Sequence, residues 1–494
     1  MSTGAPLHEL ALLKAQQHVA TTMPSMEETR YRLHYHAMPP VNWMNDPNGF
    51  IYFAGQYHLF FQFHPYSPEW GPMHWGHLVS NDLMKWEFLS IALAPSEDYD
   101  IGGVYSGTAV EFNGTLYLFY TGITGDGRQV QCIASSTDGI RFEKHSGNPV
   151  IGTYPPEGSP DFRDPKVWGK QGAWNMLIGS SCNQEGNVLL YQSSNLFDWT
   201  YEGVFAQSDG SLGTMWECPD FFMLENEEVL MLSPMGMHNR ANRNIFLYGN
   251  LNESHRQFEY YGWRDVDGGH DFYAAQTATD STGRRIFIAW MDMWGAPMPS
   301  KQEGWAGAMT LPRMIVKGDE GRLLTPPVPE VELLRRAILT ADPTRLPMVI
   351  SGTTLLSEVA GNTLEIIVEF NLSQCDAEEI GVIVRRSADG SEQTLILYHV
   401  ASSRIRVDRS CSGEPLGVDY EVDYHAADGK LKLRIFVDVS SLEVFLGDAE
   451  TVLTNRIFPS PDSVGTALFA TGGSVEVTSL EAWALRNHEP DGEE

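Results

Sequence analysis

Cysteine is scarce in this chain of 494 residues. The five present, Cys132, Cys182, Cys218, Cys375 and Cys411, are odd in number and lack metal-ligand spacing. That argues against a disulfide-built scaffold and points to a reduced, cytoplasmic protein. Positive charge is also short: 33 Lys and Arg stand against 64 Asp and Glu, a net charge of −31. Such a surface repels nucleic acid and anionic membranes, and it suits a neutral substrate, or an anionic one met by a local basic pocket. Long apolar runs are missing too. Residues 1–25 are broken up by His8, Glu9, Gln16, Gln17 and His18, so neither a signal peptide nor a transmembrane helix is expected. Residues 7–19 read instead as a short amphipathic helix.

What the chain does have is ring surface, 11% aromatic, and a repeat. Short apolar strands around Leu59, Leu118, Leu177, Met231 and Ile288 recur about every 55–60 residues. A turn followed by an aromatic runs in phase with them: Ser80-Asn-Asp-Leu-Met-Lys-Trp86, Ser136-Thr-Asp-Gly-Ile-Arg-Phe142 and Ser193-Ser-Asn-Leu-Phe-Asp-Trp199. Phe258 completes a weaker fourth copy. A unit of several strands without a helix reads as a propeller blade, so an all-β, five-bladed β-propeller of four-stranded blades is expected. From about residue 346 the pattern changes to longer alternating strands, which predicts a β-sandwich. The expected divisions are an N-terminal helical extension (1–29), the propeller (30–325), a Pro-rich linker (326–345) and the sandwich (346–494). Residues 487–494 read as an acidic tail.

The repeat also locates chemistry. About 12–15 residues before the markers stand Asp46, Ser106, Asp164, the Glu217–Asp220 pair and Tyr273. Equivalent positions on the first strand of each blade face the central channel, so Asp46, Asp164 and Glu217 are expected at one mouth. Like charges gathered there cost stability, which favours a functional reading. Asp46 lies in Trp43-Met-Asn-Asp-Pro-Asn-Gly49, where Pro47 fixes φ and Gly49 permits a sharp turn; by itself this is also an Asx-type turn before a strand. Arg163 is expected to hold Asp164 ionised, and the apolar neighbours of Glu217 to raise its pKa. That split suits glycoside cleavage.

In order and spacing, Trp43-Met-Asn-Asp-Pro-Asn-Gly49, Phe162-Arg-Asp-Pro165 and Trp216-Glu-Cys-Pro-Asp220 resemble glycoside hydrolase family 32, the β-fructosidases. The resemblance spans nearly the whole chain. It implies a retaining β-fructofuranosidase acting on sucrose or sucrose 6-phosphate, with Asp46 as nucleophile, Glu217 as acid/base and Asp164 as transition-state stabiliser. Asn45, Gln62, Trp70, Ser106 and Arg163 would contact the fructosyl unit, with Tyr273 and Trp290 as further pocket-lining positions. Tyr105-Ser-Gly-Thr108 departs mildly from the family's Phe-Ser-Gly-Ser. Neither metal nor cofactor is required. The partner is a small sugar, short fructo-oligosaccharides included, with no nucleic acid and no membrane; the protein is a monomer or a homodimer paired through sandwich edges. A fructosyltransferase and an exo-acting inulin or levan hydrolase use the same carboxylates. A non-catalytic sugar-binding propeller is the rival from another class.

Outside these motifs, His74 and His77 read as core and Trp70 as pocket rim. Asp98-Tyr-Asp100 reads as a solvated acidic loop. Arg240 and Arg243 read as surface-paired rather than phosphate-binding. The Trp294 and Trp305 loops are either packing or part of a leaving-group subsite.

Overall fold

A computed structural model describes residues 7–26, 29–170, 172–237, 242–252, 254–339, 346–414, 416 and 420–486. Arg240 and the acidic tail lie outside them. The N-terminal helix runs Leu7–Thr22, burying His8, Ala15 and Val19 while Leu7, Leu10 and Leu13 face outward. His8 Nε2 accepts the Ala94 N–H at 3.2 Å, which fastens the helix to the first blade. Among the described residues no helix is long and apolar enough to cross a membrane.

The strands then form five sheets in succession around a channel. Their innermost strands are Asn42–Phe53, Gly103–Phe112, Phe162–Lys170, Met215–Leu224 and Tyr273–Thr279. The recurrent turn has a common cause. Asp82, Asp138 and Asn195 each accept two backbone N–H groups, from Met84 and Lys85, Ile140 and Arg141, and Phe197 and Asp198. These Asx turns fold the third strand of a blade back toward its outer edge, and Trp86 and Phe142 are buried beside two of them.

The fifth blade differs from expectation. It has three strands, Tyr273–Thr279, Arg285–Trp290 and Arg313–Met314. The intervening pair Trp305–Ala306 leaves it to run parallel to Asn42 and Trp43 of the first blade. The ring is thus closed by backbone bonds between late and early chain. Gly307 follows directly at φ 83°, and a Cβ there would meet the Met44 carbonyl at 1.9 Å. Only glycine permits that approach.

The second domain folds as a curled, sandwich-like sheet. Its organiser is the last strand, Gly465–Leu485. One half pairs with Glu379–Arg386 and the other with Leu364–Asn371, so a single strand serves both layers. Ile366, Val368, Ile380, Val382, Leu433, Ile435, Val444 and Leu468 fill the core between them. Within the span expected as linker, Pro329–Leu334 is a 3-10 helix and Arg335–Ile338 pairs with the last strand.

Polar side chains rivet the two domains. Arg313, fully buried, binds Asp267 Oδ2 at 2.7 Å and also Glu443. His36 bridges Asp438 at 2.8 Å and Glu443 at 3.0 Å. Arg409 meets Asp271 at 2.8 Å and Arg456 meets Asp292 at 3.1 Å.

Candidate active site

Every innermost strand carries a β-bulge at the position the repeat singled out. Register slips between Met44 and Pro47, at Tyr105/Gly107, opposite Leu177/Gly179, between Glu217 and Asp220, and between Tyr273 and Gln276. A bulge breaks strict alternation, so neighbouring residues turn toward the same side. Asp164, Cys218 and Ala274 hold φ of 65°, 48° and 56° at these bulges, a left-handed geometry disfavoured for side-chain-bearing residues. Asp46 therefore does not precede its strand, as an Asx turn would; the strand begins at Asn42 and the bulge absorbs Pro47.

A pocket of about 360 Å³ opens above these bulges. Asn45, Asp46, Gln62, Trp70, Ser106, Arg163, Asp164 and Glu217 line it, as expected from sequence, together with Tyr105, Gln129, Met235 and Trp294. Asp46 Oδ2 accepts from Ser106 Oγ at 2.6 Å and Oδ1 from Asn45 Nδ2 at 2.9 Å. Asn45 is in turn oriented by Trp43 Nε1 at 2.7 Å. Burial pushes the Asp46 carboxyl above its usual range, and the charge of Glu217 adds to this; the Ser106 and Asn45 hydrogen bonds work the other way. Gln62 donates to the Val104 carbonyl at 3.0 Å, which fixes its amide in the wall. Trp70, 49% exposed, stands edge-on to Tyr105 at the rim.

The Arg163 guanidinium lies elsewhere than expected. Its Nε and Nη2 bind Glu217 Oε1 at 2.9 and 2.8 Å, and its Nη1 binds Asp161 at 2.6 Å. Asp164 instead accepts the Cys218 N–H at 3.0 Å, with the Cys218 thiol 3.6 Å away. Burial and the charge of Glu217 push Asp164 up to about 7, and Arg163 only partly offsets them. The expectation of an Asp164 kept ionised by Arg163 is thus reversed. A neighbour in sequence is not the partner in space, because the bulge turns Arg163 toward Glu217 and Asp164 toward the Cys218 N–H.

Two aromatic positions also need correction. Tyr273 is buried behind the wall, where its hydroxyl lies 2.5 Å from Glu217 Oε2 and 3.2 Å from the Ser233 carbonyl. Trp290 is fully buried behind Trp43 and Trp294 and does not reach the opening. Trp294 takes the place expected of it. Its loop had an aromatic signal that sequence alone left open between packing and subsite. Trp305 is core. Asp100, expected in solvent, is fully buried against Lys144 at 2.5 Å and Tyr120 at 2.9 Å. His74 and His77 are buried, as read. Arg243 pairs with Asp265 at 2.7 Å.

Beneath the pocket, side chains brace the blades across the channel. Gln276 binds the Phe50 N–H and the Gly107 carbonyl, joining blades five, one and two. Asp220 joins Lys166 of blade three at 2.8 Å to the Thr277 N–H of blade five at 2.7 Å. The blades' inner strands share no backbone ladder, so these bonds set the spacing of the carboxyls above.

Three carboxyls with distinct partners in a sugar-sized pocket, on a five-bladed propeller, define a glycosidase of the propeller class. Residues 36–327 match the glycosyl hydrolases family 32 N-terminal domain and residues 330–484 the family's C-terminal domain. The chain belongs to glycosyl hydrolase family 32. It is 41% identical to a sucrose-6-phosphate hydrolase of Escherichia coli, over 96% of this chain and 99% of that one. It is 42% identical to a raffinose invertase of Escherichia coli, over 91% and 94%. Among solved structures, a mutant GH32 beta-fructofuranosidase of Bombyx mori in complex with sucrose superposes with a TM-score of 0.85. That match has 34% identity and covers 98% of this chain and 99% of that one.

Proposed function

We propose that the protein is a retaining β-fructofuranosidase that releases terminal fructose from sucrose or sucrose 6-phosphate. One observation carries the assignment of roles: the three carboxyls share a pocket, but Arg163 contacts Glu217 while Asp46 and Asp164 are bonded to neutral groups. Asp46 is bonded to neutral donors, Ser106, Asn45 and, more weakly, the Cys218 thiol, and lines the opening. It is the nucleophile, attacking the anomeric carbon to form a covalent fructosyl-enzyme. Glu217 is the acid/base. Arg163 favours the carboxylate that remains once its proton has passed to the leaving oxygen.

The Tyr273 hydroxyl has one proton and two acceptors within reach. It donates to Glu217 when that carboxyl is ionised, and turns to the Ser233 carbonyl when Glu217 itself donates. Both protonation states of the acid/base are thereby satisfied. Asp164, deepest of the three, binds ring hydroxyls more strongly as positive charge develops on the sugar. Burial and the charge of Glu217 raise Asp164 to about 7, so it carries a proton over much of the neutral range.

The catalytic unit in this reading is the propeller, residues 30–325, and the sandwich supports it. Work inside the cell on imported sugar is part of the same proposal, supported by five free cysteines. Thiol titration of the freshly isolated protein tests that placement, which disulfides would overturn. Fructose release from sucrose and from sucrose 6-phosphate tests the activity. Turnover no higher than an Asp46→Ala control on either would end the fructosidase reading.

A further inference from the structure

A surface of net charge −31 repels an anionic sugar, so recognition of a phosphorylated substrate needs a cation at the pocket itself. Arg163 is not available, since its guanidinium is spent on Glu217 and Asp161. Another cation stands behind the pocket-lining aromatics. Lys301 sits on the 3-10 turn Pro299–Glu303 between blades five and one. That turn is anchored, because the Glu303 carboxylate accepts the backbone N–H groups of Arg30 and Tyr31, each at 3.1 Å. Lys301 Nζ lies 5.1 Å from the Trp43 ring centroid, and Trp43 stacks at 6.0 Å on the pocket-lining Trp294. Its ammonium meets Glu69 Oε2 at 2.6 Å, and Glu69 immediately precedes the rim residue Trp70. The pair therefore stands just outside the lining of the pocket, next to Trp70 and one ring removed from Trp294.

We propose that Lys301 receives a phosphate carried on the leaving sugar, and that Glu69 is the carboxylate this phosphate displaces. The proposal rests on the fructosidase reading and adds to it how a charged leaving group is read. Lys301 is 28% exposed and Glu69 64%, so their bridge is a solvent-screened surface pair that gives way readily. A phosphate carrying up to two charges outcompetes it. A lysine ammonium suits this role, being a compact charge on a stem that swings without disturbing the turn. In the absence of phosphate, Glu69 keeps the rim neutral and leaves the unsubstituted sugar unaffected.

Steady-state kinetics on sucrose and sucrose 6-phosphate, with Lys301→Met, Lys301→Arg and Glu69→Gln, test the proposal. Methionine keeps an apolar stem over Trp43 and removes the charge. Expected for Lys301→Met is a KM about tenfold higher for sucrose 6-phosphate at unchanged kcat, with sucrose within about twofold. Lys301→Arg retains most of the preference. Glu69→Gln lowers the KM for the phosphorylated sugar by about threefold, because the competitor is gone. Equal shifts on both substrates would make Lys301 a cap for Trp43 and overturn the proposal. So would an unmoved KM for sucrose 6-phosphate, or a wild type that cleaves sucrose alone. A wild type inactive on both sugars would instead strike the fructosidase reading itself.

Discussion

At the seam between the domains, Asp267, Asp271, Asp438 and Glu443 lie buried, yet Arg313, Arg409 and His36 meet them at hydrogen-bond distance. At the channel mouth, among the described residues, Arg163 is the cation beside Asp46, Asp164 and Glu217, and its contacts go to Glu217 and Asp161. The two regions respond oppositely. Asp271, Asp438 and Glu443 are held below the usual carboxylate range by their cations and hydrogen bonds, which outweigh burial. Asp46 and Asp164 are pushed above it by burial, to which the charge of Glu217 adds. Paired buried charge fixes how domains sit; buried carboxyls in excess of cations hold chemistry ready. Asp292 is the seam's exception. Burial and Asp271 push it up to about 7 despite Arg456.

The sharpest way to break this contrast is to remove one charge from each region. Asp46→Asn is expected to lower kcat by at least about 10⁴-fold while the melting temperature holds or rises, since a repelling charge is gone. A large loss of stability instead would make Asp46 structural. Arg313→Met should do the reverse. It strands Asp267 and leaves Glu443 with His36 as its charged partner, at a cost of about 3–5 kcal/mol in urea unfolding, with activity per folded molecule retained at low temperature. A cost under about 1 kcal/mol would mean that the seam is not held by its pairs.

Tyr273→Phe tests the coupling of the buried wall to the acid/base. It should reduce kcat about 10–100-fold and move the basic limb of the kcat/KM profile to higher pH, because a donor to the carboxylate is lost. A limb that moves to lower pH would mean that the phenol chiefly accepts from the acid.

A smaller effect separates the regions by pH. Asp164 titrates near 3.8 when unfolded and about 7 when folded, so between these values the native state keeps a proton that the unfolded chain has lost. Its contribution to stability is complete below about pH 4 and is lost as pH rises through 7. Asp438 and Glu443, with lowered values, contribute above about pH 4 and lose that contribution as pH falls. Asp164→Asn should therefore melt progressively higher than wild type from pH 4 to pH 8, by about 3–6 °C at the upper end. A constant offset across that range would contradict the raised value. Smallest of all, Arg243→Gln should leave the KM for sucrose 6-phosphate within about twofold, because Arg243 is paired with Asp265.

Much of this was legible in the chain before folding. Local chemistry carried the blade repeat, because the same Asx turn at Asp82, Asp138 and Asn195 needs the same short polar residues each time. Spacing carried the carboxyls, because one position per blade must face a shared axis. The alternating apolar pattern of residues 364–370 and 431–437 carried the sandwich core. What the sequence could not hold was partnership across blades. Arg163 is adjacent to Asp164 in the chain but belongs to Glu217 in space, and Trp294 rather than Trp290 reaches the opening. Bulges decide such matters by rotating one residue against its neighbours, and their outcome depends on the facing strand. Lys301 and Glu69 meet across 232 positions of chain only because Trp305 and Ala306 close the ring onto the first blade. Motif and period follow from residues in reach of one another along the chain; electrostatic partnership follows from distances that exist only once the propeller is closed.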